Sequence, residues 1–81
     1  MLTIQTVSGA LLYNPEEKAV TTRNGHVLSI DFLNDRFSSR ENTLWRVIKE
    51  DGDRRHFELF RSAVNFALNN PGSIVEEVQS N

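Results

Sequence analysis

The chain has no cysteine, only two histidines and two prolines, and four scattered glycines in 81 residues. Each shortage closes a route. Without cysteine there is no disulfide, no thiolate metal ligand and no thiol nucleophile. A thiol-free chain also fits a reducing compartment. Four isolated glycines leave no glycine-rich phosphate loop. None of the seven serines sits in a nucleophile elbow. No run approaches the roughly 20 apolar residues of a membrane span. The opening MLTIQTVSGALLY lacks the basic leader and continuous apolar segment of a signal peptide. The expectation is a cytoplasmic protein with no membrane partner.

Charge of one sign is missing too. Nine Lys or Arg stand against eleven Asp or Glu, for a net charge of −2. A nucleic-acid binder is usually clearly basic, and a mimic of nucleic acid is far more acidic. Neither extreme is met. His26 and His56 each lie on an expected strand with an arginine as expected neighbour, Arg23 and Arg46, and surrounding positive charge disfavours a bound metal cation. Glu50, Asp51 and Asp53 flank Gly52, but their spacing fails the calcium-loop pattern. The reading is a non-enzyme with no cofactor and no metal.

What is present is patterning. Leu44 to Asn70 reads LWRVIKEDGDRRHFELFRSAVNFALNN: a period-2 apolar run, an Asp-Gly turn, and a period-3.6 run stopped by Asn-Asn-Pro-Gly. This predicts a hairpin followed by a helix over about 59–69. For the hairpin, a three-residue loop Glu50-Asp51-Gly52 is preferred. It pairs Trp45 with Phe57, Val47 with Arg55 and Lys49 with Asp53, whereas a two-residue loop would set Lys49 against Arg54. The helix then covers the Trp45, Val47 and Phe57 side, with Trp45 as core. Leu44, Arg46, Ile48, Arg54 and His56 share the other side.

Elsewhere the pattern is shorter. Leu2 to Val7 alternates as a strand. Ala10 to Tyr13 either forms a second strand or continues the first past a bulge at Gly9. Asn14-Pro15-Glu16-Glu17 reads as a type I turn or one helical turn. Lys18–Arg23, Asn24-Gly25 and His26–Leu33 predict a hairpin with a two-residue type I′ turn, pairing Thr21 with Leu28, Ala19 with Ile30 and Lys18 with Asp31. Asn34 to Asn42 predicts a polar loop anchored by Phe37, with a short helical turn in which Ser38 caps against Glu41. Ser73 to Val78 is either a short edge strand guarded by Glu76 and Glu77 or a frayed tail.

The fold class that follows is α+β: a single domain over 1–81, an antiparallel β-sheet of four to six strands, and one main C-terminal α-helix packed on one face. The candidate partner-binding residues are Arg46, Ile48, Arg54 and His56 on the uncovered side, with Arg36, Phe37 and Arg40 in the long loop. The leading expectation is a protein partner for a binding or regulatory module, a size of chain common among phages and mobile elements. The alternative is nucleic acid on the same face, since Arg makes bidentate contacts to phosphate as well as carboxylate. A third class, a structural subunit, would bury that face in a homodimer or larger homo-oligomer. So small a core also favours self-association.

The order of a W-R-V strand, an Asp-Gly turn, a strand ending at Phe57 and a helix holding Ala63 resembles the three-strand-plus-helix shape of integrase arm-binding domains and of plant DNA-binding domains built the same way. The resemblance covers about 27 residues. It implies DNA reading by the sheet, with Arg46, Lys49, Arg54 and Arg55 as the available cations.

Overall fold

The computed structural model describes residues 1–38 and 43–79. Seven strands and two helices follow in the order β1 (Leu2–Thr6), β2 (Gly9–Asn14), β3 (Ala19–Thr21), β4 (Val27–Ser29), α1 (Ile30–Ser38), β5 (Thr43–Ile48), β6 (Arg54–Phe57), α2 (Phe60–Leu68) and β7 (Ile74–Gln79). The strands form one sheet in the order β4-β3-β2-β1-β7-β5-β6. β1 and β7 run parallel, and every other neighbouring pair is antiparallel. The sheet is therefore mixed, and larger by one strand than expected.

The second hairpin has the expected register. Trp45 pairs with Phe57 and Val47 with Arg55. Lys49 N–H donates to Asp53 O at 2.8 Å, and Gly52 N–H to Lys49 O at 2.9 Å, closing the three-residue loop. Gly52 takes φ +91°, a left-handed conformation that an L side chain adopts only at a cost.

The first hairpin uses the same device, which corrects the expected two-residue turn. Thr22 N–H donates to His26 O, and Gly25 N–H, at φ +85°, to Thr22 O. Arg23, Asn24 and Gly25 thus form the loop. The strands pair Val20 with Leu28 and Thr21 with Val27. The physical reason is side-chain period. Slipping by one residue sets apolar Val20 beside Leu28 on the core side, where the expected register left Leu28 opposite Thr21.

That strand also stops sooner than expected. Ser29 Oγ accepts a hydrogen bond from Phe32 N–H at 3.1 Å and caps α1. Asp31 sits in the first turn and Arg36 in the last, each favourable to the helix dipole. Ile30, Leu33 and Phe37 form its buried stripe. The expected polar loop from Asn34 is therefore helical through Ser38, and Asp31 is not strand-paired with Lys18. The proposed Ser38–Glu41 cap extends outside the described residues.

The larger correction is β7. It is neither an edge strand nor a tail. It lies between β1 and β5, and Val75 on it is fully buried. Its partners are Thr3, Ile4 and Gln5 on one side and residues 43–48 on the other.

Both helices lie against the same side of the sheet. α2 packs on β5, β6 and β7, and α1 on β4 and α2. Phe37 of α1, Trp45 of β5 and Phe60 of α2 meet with ring centroids 4.7–5.0 Å apart in tilted and edge-on geometry. Leu2, Ile4, Tyr13, Val20, Val47 and Val75 continue this core across the sheet. The molecule measures 29 × 28 × 19 Å, and the short dimension is that of a sheet plus one helical layer. Among the described residues, no helix is long and apolar enough to cross a membrane.

Candidate functional site: the uncovered sheet face

Strand alternation divides the sheet's side chains between two faces. Leu2, Ile4, Tyr13, Val20, Trp45, Val47 and Val75 point to the helices and are buried. Their neighbours along each strand point the other way, where no described element covers them. The registers align these into rows. One row crosses all seven strands: Val27, Thr21, Leu12, Thr3, Ile74, Ile48, Arg54. The next runs Ala10, Gln5, Glu76, Arg46, His56. Leu44 and Val78 pair beyond it.

The first row is the unusual one. A solvated face of an antiparallel sheet normally alternates polar against the buried side. Here Val27 is 65% exposed, Leu12 45% and Ile74 40%, and Ile48 is half-buried. These aliphatic side chains are interspersed only with threonines until Arg54.

The second row is polar. Arg46 Nε and Nη2 both donate to Glu76 Oε1, a cross-strand ion pair between β5 and β7. Both side chains are about a quarter exposed. Arg46, expected as a partner-contacting cation, therefore has its charge matched by Glu76 on its own face. β7, expected as an edge strand or a tail, supplies the carboxylate. Arg54 and His56, both exposed on the edge strand β6, form the corner of this face. On the opposite side of β6, Arg55 Nε donates to Asp53 Oδ2 at 3.2 Å.

The sequence-predicted set thus divides. Ile48, Arg54 and His56 come together on the uncovered face, beside a paired Arg46. Phe37 does not join them. It is 7% exposed, within the aromatic core, because the helical stripe of α1 turns it inward. Arg36 is exposed on the helical layer, the far side of the sheet from Arg54. Arg40 lies outside the described residues. Sequence reasoning missed Leu12, Thr3, Ile74 and Val27. For Leu12, Ile74 and Val27 the signal was an apolar residue on the outward side of its strand, but only strand order brings them into line with Thr3.

The helical side has shallower claims. A cleft of about 420 Å³ opens beside α1, lined by Leu11, Leu28, Phe32 and Arg36 among others. Another, of about 230 Å³, lies between the helices near Tyr13, Lys18, Asp31 and Arg61. Asn34 Oδ1 is buried beside it without a hydrogen-bond partner. Among the described residues, no three His, Cys, Asp or Glu side chains come within reach of one ion.

Comparison with protein-family models, with curated proteins and with solved structures gives no match. The likeness to three-strand DNA-reading domains also meets a structural difference. Only two strands, β5 and β6, stand between α1 and α2, and the strand hydrogen-bonded on the other side of β5, β7, follows α2.

Proposed function

We propose that the protein is a non-catalytic binding module whose uncovered sheet face takes a protein partner. The observation that carries this reading is the apolar row from Val27 to Ile48, ending in Arg54. It joins exposed aliphatic side chains into one stripe, bordered by a polar row. Specific protein interfaces have this composition: an apolar centre, a polar rim, and arginine among the enriched residues. Single apolar residues scattered on a surface need no explanation, but four aligned in one row with only threonines between them do.

Nucleic acid fits the face less well. Among the described residues its uncovered strands carry Arg46, Arg54 and Glu76 as formal charges, and two of the three pair with each other. Phosphate binding draws on several cations at once.

The test is affinity capture with the wild-type chain and with Ile48→Asp and Arg54→Glu. The expected result is a protein retained by the wild type and released by both variants. Labelled single-stranded and duplex oligonucleotides, titrated at low salt, form the second arm and should show no binding. Retention of the same proteins by wild type and variants alike would sink the reading. Salt-sensitive oligonucleotide binding, lost in Arg54→Glu, would replace it with the nucleic-acid function.

A further inference from the structure

We infer that the partner for this face is a second copy of the same chain, packed sheet to sheet about a two-fold axis that runs along β1. The inference rests on the reading of the uncovered face as a binding surface and adds the occupant and its geometry.

Three observations carry it. The first is symmetry of the apolar row. Thr3 is its middle residue, with Leu12 and Ile74 immediately to either side. A two-fold axis along β1 turns the row end for end. It lays Leu12 of each copy against Ile74 of the other, so that the contact is made twice. Isologous interfaces have this form. Thr21 then meets Ile48, and Val27 meets the aliphatic stem of Arg54.

The second is charge. Among the described residues, the formal charges on the uncovered strand face, Arg46, Glu76 and Arg54, lie on β5, β7 and β6. The matching positions of β1 to β4 are Thr3, Gln5, Ala10, Leu12, Asn14, Ala19, Thr21, Val27 and Ser29, and none is charged. Rotation about β1 places the charged strand positions of one copy on the uncharged strand positions of its partner, with Arg23 in the loop beyond them. Rotation about the row itself would instead stack Arg54 on Arg54, and charge repulsion disfavours it. The layout therefore selects one axis of the two. It also leaves the Arg54 guanidinium at the rim, in water, which removes most of its desolvation cost.

The third is area. Six gaps of about 4.8 Å give the row a span of roughly 29 Å, and strands of five residues run about 17 Å. Two such faces bury on the order of 1,000 Å², below the roughly 1,200 Å² at which stable interfaces begin and at the threshold for a weak, specific one. The expected pair is therefore reversible and concentration-dependent.

Sedimentation equilibrium of the full chain tests this directly. The wild type should be a monomer–dimer mixture that shifts to dimer as concentration rises. Leu12→Asp and Ile74→Asp should each be monomeric at every concentration, while Val7→Asp, an exposed turn position away from the row, should behave as wild type. Far-UV circular dichroism and the emission of buried Trp45 confirm that each variant is folded. Because the chain has no cysteine, Thr3→Cys supplies a second, independent reading. Facing sheets lie about 10 Å apart, so a short bis-maleimide should join two copies at this position, and the same cysteine with Leu12→Asp should stay unlinked. A wild type that stays monomeric up to its solubility limit overturns the self-pairing. So does a dimer indifferent to Leu12→Asp and Ile74→Asp. If self-pairing fails while Ile48→Asp still releases a captured protein, the binding reading survives it. If both fail, the face has no partner of either kind.

Discussion

Phe37 holds the two layers together. Its ring touches Trp45 from the sheet and Phe60 from the neighbouring helix, so it contacts every layer of a thin molecule at one point. Truncating a buried phenylalanine costs about 3–5 kcal/mol, through lost transfer energy and the cavity left behind. A chain of this length has a total stability of roughly 4–12 kcal/mol. Phe37→Ala should therefore lower the urea midpoint severely or unfold the protein, as followed by circular dichroism. A ring that merely anchored a surface loop would cost well under half of that. Arg46 shows the same dependence on surroundings. By composition it is a cation open to any anion, but in the sheet it is half of an ion pair with Glu76. A partly exposed pair of this kind contributes little to stability, about 0–1 kcal/mol. Its larger effect is on the face, from which it removes a free positive charge.

Among the elements, β7 bears most on stability. It joins the meander β1–β4 to the hairpin β5–β6, hydrogen-bonding to β1 on one side and β5 on the other. Removing residues 74–81 would expose both of those strands as unpaired edges and strip the cover from Ile4 and Val47, each fully buried now. The shortened chain should show no cooperative thermal transition by circular dichroism. Survival of a folded core after that deletion would mean that the strand is dispensable. The helix α1 illustrates a different difficulty. Leu28, Ile30 and Phe32 alternate like a strand, while Ile30, Leu33 and Phe37 repeat like a helix. Both templates read the same residues. Ser29 decides between them, since its hydroxyl caps the helix and leaves Phe32 exposed on the outer side of the turn.

Across the molecule as a whole, the governing fact is that, among the described residues, a seven-stranded sheet has helices on one side only. A single core between two layers must stabilise the chain alone, and short chains do this narrowly. The uncovered side leaves Val27, Leu12 and Ile74 exposed to water. Pairing of two copies would bury this stripe and add stability by mass action. The thermal midpoint should then rise with protein concentration in the wild type and stay constant in Leu12→Asp. A midpoint independent of concentration in both would mean that the folded monomer gains nothing from association.

Much of the second half of the chain was legible before folding. The Trp45–Phe57 register, the Glu50-Asp51-Gly52 loop and the helix near 60–68 all follow from residues within about a dozen positions of one another. The burial of Trp45 and the outward direction of Arg54 and His56 follow from the same alternation. Local period and turn chemistry suffice there, because each partner is a near neighbour in sequence. Tertiary structure alone decided the rest. It set β7 beside β5, some thirty residues away, and so gave Arg46 its carboxylate. It set β1 beside β7 from the other end of the chain, and so lined Leu12 and Thr3 up with Ile74 and Ile48. Alternation tells which side of its own strand a residue takes. It carries no information about which strand lies next, and the composition of the exposed face depends on that order.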